Sequence, residues 1–368
     1  MAEIPARHRR DLPLVLVTGA SGEIGSALVK ALVPDYRVVG LDRVPGAGMD
    51  ESCVVDITAE DSLATALRRI RAQHGRRVAS VLHLAAYFDF TGDDDPRYRT
   101  VNVEGSRRLL RLLAEFDVEQ FIYSGTMLVH APCMPGERID ESREISPRWS
   151  YPESKAAAEA AIREGRGRIP VVFLHLAGYY DEMIANPVLA HQIARVYERD
   201  LTSHLYSGNT DTGQSVLHRD DMIDAFRRAI ERRSRLPDEV TILIGEAEPM
   251  SYRDLQNGLG RLIHGEQTWQ TLTMPKPLAA AGAWLEDRLE AVIPDRIDAG
   301  KKPFIQPFMI GMSDDHYALD IRRARNLLGW EPRHRISTTL PRIVGALRDD
   351  PVGWYRANHM TPPHGDND

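Results

Sequence analysis

The stretch LVLVTGASGEIGSALVKAL, residues 14–32, decides the fold. A short apolar run typical of a buried strand leads into Gly19, Gly22 and Gly25, spaced three apart, and an apolar-periodic helix follows. The first glycine permits a tight turn, the second permits close approach of a pyrophosphate, and the third permits the helix to pack on the sheet. Because a helix N-terminus also offers free N–H groups to phosphates, the stretch predicts a dinucleotide-binding turn.

The first 180 residues alternate continuous apolar runs with helical patterns. After the opening strand, the apolar runs lie at 37–42, 52–56, 78–86, 119–125 and 169–178, and helical patterns lie at 60–74 and 100–116. Continuous apolar strands indicate a parallel sheet that is covered on both faces. We therefore predict an α/β fold with a doubly wound parallel sheet, the Rossmann fold.

The same rhythm sets the predicted domain boundaries. Residues 1–180 form an NAD(P)-binding Rossmann domain, and residues 181–350 form a smaller, mostly helical substrate-binding region interleaved with late strands of the sheet. A helix with one apolar stripe is expected at 275–295, between prolines. Residues 351–368 end in a polar stretch and are expected to form a flexible tail.

The composition excludes several classes of protein. A hydrophobic content of 43% with 27% charged residues is that of a globular protein, and a net charge of −7 gives no electrostatic reason to expect a nucleic-acid partner. Two cysteines cannot form a disulfide framework, which favours a reducing compartment. No apolar run reaches the length of a membrane span, so we expect a cytoplasmic protein with no membrane partner. The histidines show no metal-ligand spacing, and no metal site is predicted.

The end of the second predicted strand carries an acidic residue, Asp42, twenty residues beyond Gly22. A carboxylate at this place can accept a hydrogen bond from the adenosine ribose. It would repel a 2′-phosphate, so NAD is favoured over NADP as the cofactor. Arg43, the next residue, could offset this preference by pairing with the phosphate.

The sequence YPESK, residues 151–155, places a tyrosine and one of the chain's five lysines one helical turn apart. A tyrosine hydroxyl has an unperturbed pKa of about 10 and is a poor base at neutral pH. A lysine ammonium and the positive ring of an oxidised nicotinamide would together lower that pKa. We expect Tyr151 to exchange a proton with a secondary alcohol while hydride moves to the nicotinamide, and Lys155 to tune Tyr151.

Six further motifs follow in order: VVDIT (54–58), LHLAA (82–86), VNVEGSRRLL (101–110), FIYSGTMLVH (121–130), LHRDDMIDA (217–225) and LLGWEP (327–332). With the glycine turn and YPESK, the chain resembles an extended short-chain dehydrogenase/reductase, of the NAD-dependent epimerase/dehydratase family, over roughly residues 12–345. The resemblance implies catalysis by Thr126, Tyr151 and Lys155. It implies cofactor contacts from Gly19, Gly22, Glu23, Ile24, Gly25, Asp42, Asp56, Ile57, Leu84, Ala85, Ala86, Asn102, Ser124, Tyr151, Lys155 and Ala177. It also implies a homodimer that forms through the helices at 100–116 and 151–164.

Two departures from the family pattern bear on the substrate, which we expect to be a small molecule. Where nucleotide-sugar members have an Arg-x-x-N-V-Y-G-P stretch, this chain has HLAGYYDE (175–182), so Ala177 or Gly178 replaces the asparagine. Where those members place a phosphate-binding arginine, this chain has Gln214. Arg219 is a nearby residue that could serve instead.

Three functions are consistent with the sequence. The first is a dehydrogenase or ketoreductase acting on an uncharged or apolar hydroxy compound. The second is a nucleotide-sugar epimerase or dehydratase that keeps its NAD bound between turnovers. The third is a non-catalytic regulator that senses the dinucleotide, against which the presence of Thr126, Tyr151 and Lys155 counts.

Overall fold

A seven-stranded parallel sheet forms the centre of the computed structural model, which describes residues 11–277 and 307–363 except positions 91 and 200. The strands are β1 (Leu14–Thr18), β2 (Arg37–Asp42), β3 (Glu51–Val54), β4 (Arg77–Val78), β5 (Ser80–His83), β6 (Asp117–Val118), β7 (Phe121–Thr126), β8 (Val171–Leu176), β9 (Gly178–Tyr180), β10 (Leu205–Ser207), β11 (Val216–His218), β12 (Glu239–Ile244) and β13 (Leu272–Met274). The central sheet has the order β12-β8-β7-β5-β1-β2-β3. Three two-stranded pairs, β10-β13, β11-β9 and β4-β6, complete the described strands.

Helices cover both faces of this sheet. The α-helices of the described residues are α1 (Glu23–Leu32), α2 (Glu60–His74), α3 (Glu104–Leu113), α4 (Ser150–Gly165), α5 (Pro187–Glu198), α6 (Arg219–Glu231), α7 (Tyr252–His264), α8 (Pro307–Met312), α9 (Arg322–Leu328), α10 (Ile336–Asp349) and α11 (Pro351–Ala357). One hydrophobic core joins α1, α6 and α9 to the sheet, and a second joins α2, α3 and α4 to its other face. The predicted doubly wound α/β fold is confirmed.

The chain reverses its winding direction at β1. Strands β2 and β3 extend the sheet on one side of β1, and β5, β7, β8 and β12 extend it on the other. In open parallel sheets the crevice for a ligand lies at such a switch point, beyond the carboxyl ends of the strands. Here that crevice lies beyond Thr18 of β1 and His83 of β5, which are register partners.

The helix expected at 100–116 is in fact two elements. A π-helical turn, Tyr98–Val103, precedes α3. In this turn the Asn102 carboxamide exchanges hydrogen bonds with both backbone groups of Tyr87. A π-helical turn is a departure that apolar periodicity does not reveal, and such turns are frequent at functional sites.

The C-terminal segment differs from the expected flexible tail. Residues Pro351–Ala357 form α11, whose Trp354 and Tyr355 are buried in a third core with α5, α7 and α10. The expectation of a flexible segment is therefore wrong for these residues, because two large aromatic side chains anchor them. The helix expected at 275–295 lies almost wholly outside the described residues. Among residues that are described, no helix is both long and apolar enough for a membrane crossing.

Trp354→Ala should lower the free energy of unfolding by about 3–5 kcal/mol, because it removes a large side chain whose exposure is 0%. The measurement is urea unfolding followed by far-ultraviolet circular dichroism. Val352→Ala is the matched control, since Val352 lies in the same helix but is 40% exposed. Equal unfolding midpoints for the Trp354→Ala and Val352→Ala proteins would contradict the anchoring role.

Candidate active site at the carboxyl edge of the sheet

The glycine turn after β1 leaves no space for side chains at two positions. Gly19 has φ +71°, and a Cβ there would lie 2.9 Å from the backbone nitrogen of Ala85. A Cβ on Gly25 would lie 2.0 Å from the carbonyl oxygen of Gly19. Gly22 is the N-cap of α1 and offers no side chain to the first N–H groups of the helix, where Glu23 and Ile24 follow. This arrangement suits an anion such as a pyrophosphate.

Asp42 lies beside this turn at the end of β2. Its Oδ2 accepts a hydrogen bond from the Ser21 N–H at 2.9 Å, which fixes the carboxylate against the glycine turn. Asp56, beyond β3, binds the backbone and hydroxyl of Thr58 through Oδ1, and these bonds lower the pKa of its carboxyl. Ile57 follows it and is largely buried. Adenine contacts from these last two residues stay a prediction.

The segment after β5 runs along the other side of the glycine turn. Thr18 Oγ1 accepts hydrogen bonds from the backbone N–H groups of Leu84 and Ala85, each at 3.2 Å. These bonds hold Leu84, Ala85 and the following Ala86 next to the crevice. The three residues are therefore available to a dinucleotide mainly through their backbone.

Asn102 is held by hydrogen bonds within the protein. It is 1% exposed, and its carboxamide is bonded to the Tyr87 backbone and to the Ser154 hydroxyl at 2.8 Å. Both ends of the side chain are thus engaged by the protein. Asn102 connects the segment after β5 to helix α4, and its contact with a cofactor stays a prediction.

Helix α4 and strand β7 bring the predicted catalytic residues together. Lys155 is 3% exposed, and its Nζ donates a hydrogen bond to the Ser124 carbonyl at 2.7 Å. The same Nζ lies 5.8 Å from the centroid of the Tyr151 ring. Thr126 is the last residue of β7, and its Oγ1 accepts a hydrogen bond from the Leu128 N–H at 3.3 Å. The Thr126 hydroxyl proton is left for another acceptor.

The surroundings of Tyr151 and Lys155 shift both pKa values away from the charged forms. Burial lowers the pKa of Lys155 to about 8, although Glu159 acts in the opposite direction. Burial, and then the neighbouring Tyr98, raise the pKa of Tyr151 above its ordinary value. Lys155 therefore does not by itself bring the phenol into the neutral range. The expected lowering requires the second positive charge, that of an oxidised nicotinamide.

Aromatic rings surround Tyr151, and sequence reasoning missed them. The rings of Phe88, Trp149 and Tyr98 lie 4.7, 5.5 and 6.5 Å from the Tyr151 ring, centroid to centroid. Phe90 packs edge-on against Trp149 at 5.6 Å. The signal was present in YFDF (87–90) and in Trp149 two residues before Tyr151. These rings give the site an apolar entrance.

Two small cavities share Val188 and Gln214, and one of them is lined by the entrance residues Phe90 and Trp149. The first is lined by Phe90, Leu128, Arg148, Trp149, Met312, Asp315 and Tyr317, and the second by Gly178, Asn186, Leu189, Gln192, Val216, Met250, Tyr252, Leu255 and Ile336. Arg148 forms an ion pair with Asp315. Ala177 is buried, and its N–H is bonded to the Ile244 carbonyl in β12.

Arg219 is not a free anion ligand. Its guanidinium lies 2.5 Å from the carboxylate of the buried Asp181. Arg219 is the cation that could have taken the phosphate-binding role of the arginine that is missing at position 214, and Asp181 already neutralises its charge. Among the described residues that line the two cavities, the charged ones are Arg148 and Asp315, and these are paired with each other.

The fold also assembles a histidine cluster that the sequence spacing did not reveal. Ligand-type atoms of His218, Asp220 and His334 lie within 4.8 Å of one another. However, the His218 and His334 rings are stacked, with centroids 4.0 Å apart and planes 20° apart. A metal bonded at about 2.0–2.1 Å must lie close to the plane of each ring, which nearly parallel rings do not allow. In the observed rotamers the two rings therefore stack on each other and do not both point at one metal position.

Comparison with known proteins identifies the family. A model of the NAD dependent epimerase/dehydratase family matches residues 15–245. A 3-beta-hydroxysteroid dehydrogenase of Mycolicibacterium neoaurum is 34% identical over 170 residues, which are 42% of this chain and 43% of that protein. A UDP-glucose 4-epimerase of Mycolicibacterium smegmatis is 26% identical over 351 residues, 91% of this chain and 98% of that protein.

Solved structures agree on the fold. The structure of UDP-glucuronic acid 4-epimerase from Bacillus cereus, in complex with UDP-glucuronic acid and NAD, superimposes with a TM-score of 0.68. It is 20% identical, with coverage of 91% of this chain and 99% of that one. The family, the fold class and the enzymatic nature predicted from the sequence are confirmed, and NAD is the cofactor that the family description names. The chain belongs to the NAD dependent epimerase/dehydratase family.

Proposed function

We propose that the protein transfers hydride between NAD and a secondary alcohol or ketone carbon of a small, uncharged molecule, with Tyr151 as the acid or base. The observation that carries the proposal is the cluster of Tyr151, Lys155 and Thr126 at the carboxyl edge of the sheet. There a buried ammonium lies 5.8 Å from the phenol ring, next to the crevice at the switch point.

Different residues of the crevice would bind different parts of the cofactor. The turn of Gly19, Gly22 and Gly25 would take the pyrophosphate on backbone N–H groups, and Asp42 would accept a bond from the adenosine ribose. Lys155 keeps donors beyond the one it gives to Ser124 and would bind the nicotinamide ribose. Bound NAD supplies the hydride acceptor and a positive ring.

Proton transfer is assigned to Tyr151. For oxidation, the phenolate takes the proton of the substrate hydroxyl, and for reduction the phenol returns it. The Thr126 hydroxyl oxygen accepts a hydrogen bond from the Leu128 N–H, which leaves the hydroxyl proton available. This proton can be donated to the same substrate oxygen and orient it. The apolar entrance excludes water around these groups and strengthens their interaction.

Preference for an uncharged substrate rests on the walls of the site. Phe88, Phe90 and Trp149 form its entrance, and Gln214 stands at the junction of the two cavities. Arg219 is paired with Asp181, and Arg148 in the cavity wall is paired with Asp315, so both cations already have a carboxylate partner. Burying two phosphate charges without a cationic partner would be costly.

A second candidate is a nucleotide-sugar epimerase or dehydratase. The observation in its favour is the match to the Mycolicibacterium smegmatis UDP-glucose 4-epimerase, which spans 98% of that protein. Such an enzyme returns the hydride to the same substrate and has no net redox change. NAD that stays with the protein through purification would favour this candidate, and NAD that dissociates would favour the first.

The proposal includes a cytoplasmic location and a homodimer through α3 and α4. The location is supported by the two unpaired cysteines, Cys53 and Cys133, which suit a reducing compartment. The dimer is supported by the packing of these two helices side by side on one face of the sheet. Its mass in solution can be measured by light scattering.

Tyr151→Phe should reduce kcat by about 10²–10⁴-fold, because it removes the group that exchanges the proton. NAD binding, measured by calorimetry, should be unchanged. Tyr36→Phe is the matched control, since Tyr36 lies in the core beneath α1, away from the site. Turnover by the Tyr151→Phe enzyme at the rate of the Tyr36→Phe enzyme would refute the assignment.

Asp42→Ala should weaken NAD binding by about 10-fold to 100-fold, because it removes a charge-assisted hydrogen bond to the ribose. Binding of NADP should weaken less or improve, since a repelling charge is lost. Titration calorimetry with both dinucleotides measures the ratio. Asp50→Ala is not a suitable control, because Asp50 Oδ2 binds the Val38 N–H within the sheet. Asp61→Ala, on the exposed start of α2, is suitable.

Ligands that bind only the folded protein raise its melting temperature. In the presence of NAD, steroid and flavonoid alcohols should raise the Tm further, whereas UDP-, GDP- and TDP-sugars should not. Gln214→Arg restores a cation at the cavity junction and should increase the response to nucleotide sugars. A wild-type protein that responds to nucleotide sugars alone would replace the first candidate by the second.

A further inference from the structure

A chain of three buried side chains lies beneath the catalytic cluster. His130 Nε2 is 2.8 Å from His175 Nδ1, and His175 Nε2 is 2.8 Å from a carboxylate oxygen of Glu159. At the other end, His130 Nδ1 is 3.0 Å from the Arg143 carbonyl oxygen. All three side chains are buried. We call His130, His175 and Glu159 the buried network.

Each member lies in, follows or pairs with one of the two elements that carry the catalytic groups, β7 and α4. His130 follows Thr126 by four residues, after the short helix Met127–Val129. His175 belongs to β8 and is the register partner of Gly125 in β7. Glu159 lies one helical turn beyond Lys155 in α4. The buried network therefore joins the strand of Thr126 to the helix of Tyr151 and Lys155.

Gly125 provides the room for this contact. A Cβ at this position would lie 2.9 Å from His175 Cδ2 and 3.0 Å from Glu159 Oε1. Both atoms belong to packed, buried side chains. A residue with a side chain at 125 would therefore push the imidazole and the carboxylate apart.

Counting hydrogen atoms fixes the charge of the buried network. The Arg143 carbonyl can only accept, so His130 Nδ1 must carry a proton. Each of the other two short contacts also needs one proton. Three protons on two imidazoles and one carboxyl group give a net charge of zero, wherever the third proton sits. If the proton shared by His175 and Glu159 resides on the imidazole nitrogen, the carboxylate keeps its negative charge.

The pKa shifts are in agreement with that placement. Burial, and then His175, lower the pKa of His130 to about 4, so this ring is neutral. Burial acts to raise the pKa of Glu159, but His175 and Arg163 outweigh it and the pKa is lowered. Glu159 raises the pKa of Lys155 and so opposes the effect of burial on the ammonium.

We propose that the buried network keeps a carboxylate charge one helical turn from Lys155 and thereby holds Lys155 in its charged form beside Tyr151. His130, His175 and Glu159 are then positioning residues, which act on the reaction through Lys155. The inference rests on the proposed role of Tyr151. Other titratable or charged groups that face these residues are His83 of β5, Tyr98 of the π-helical turn, Tyr123 of β7, Asp140 of the loop after His130, and Arg163 of α4.

Glu159→Gln separates charge from hydrogen bonding. The glutamine amide can donate to His175 Nε2, so all three contacts persist with two neutral imidazoles. The carboxylate charge and the third proton are lost together, and of these two only the carboxylate is a group that raises the pKa of Lys155. The Glu159→Gln enzyme should therefore fold normally, while Lys155 loses part of its positive charge at neutral pH and the Tyr151 hydroxyl becomes harder to ionise.

The test is a titration of tyrosinate absorbance in the NAD complex, with the same titration of the Tyr151→Phe enzyme subtracted in each background. The Tyr151 midpoint should rise by about one pH unit in the Glu159→Gln enzyme. Glu141→Gln is the matched control, because Glu141 is a buried carboxylate that binds the Leu243 N–H, outside the site. Its midpoint should equal that of the wild type.

Equal Tyr151 midpoints in the wild-type and Glu159→Gln proteins would overturn the proposal, including the case in which both lie beyond the end of the titration. An equal rise in both glutamine variants would also overturn it, since the effect would then be unspecific. The titration needs no substrate. Failure of the proposed function would instead appear as full turnover by the Tyr151→Phe enzyme, so the two failures are distinguishable.

Discussion

The burial of one ammonium group organises the site. A charged lysine side chain that is withdrawn from water is stable only if its donors and its charge are met by partners. Lys155 meets the first demand through the Ser124 carbonyl and the face of the Tyr123 ring, whose centroid is 4.8 Å from Nζ. It meets the second through Glu159, which is itself bonded to His175. Helix α4 and strands β7 and β8 must therefore keep one relative placement.

This demand also explains why the catalytic groups come from adjacent parallel strands and one helix. The carboxyl ends of β7 and β8 lie side by side, with Thr126 opposite Leu176. Helix α4 crosses above them and carries Tyr151 and Lys155 on the face that packs against the sheet. In a parallel sheet the carboxyl ends of adjacent strands lie at the same edge, so the topology alone brings them together. The site is thus a product of the topology, and the side chains decide its chemistry.

The local parts of this fold could be predicted from the sequence, and the long-range parts could not. Strands 14–18 and 37–42 and the helix at 60–74 have the predicted bounds, because continuous apolar runs and helical periodicity are local signals. Strands of three residues, such as β9 and β11, depend on a partner far along the chain. The same is true of α11, where the burial of Trp354 depends on α10 and α7.

Within the site, spacing was enough to suggest Thr126, Tyr151 and Lys155 but not their environment. Nothing in the sequence indicates that residues 130, 159 and 175 touch, because only the register of β7 and β8 brings them together. The direction of the Tyr151 pKa shift depends on burial among rings from three separate segments. Asn102 was predicted from a motif, yet its engagement with Tyr87 and Ser154 is a property of the fold.

The glycine turn has one more consequence. At Gly19 and Gly25 the obstacle to a side chain is backbone, which cannot be rearranged by changing a neighbour. The entrance, in contrast, is built from interchangeable side chains on loops, such as Phe88 and Trp149. Substitutions at the entrance can therefore change which substrate the site accepts, whereas the glycine turn does not tolerate side chains at Gly19 and Gly25.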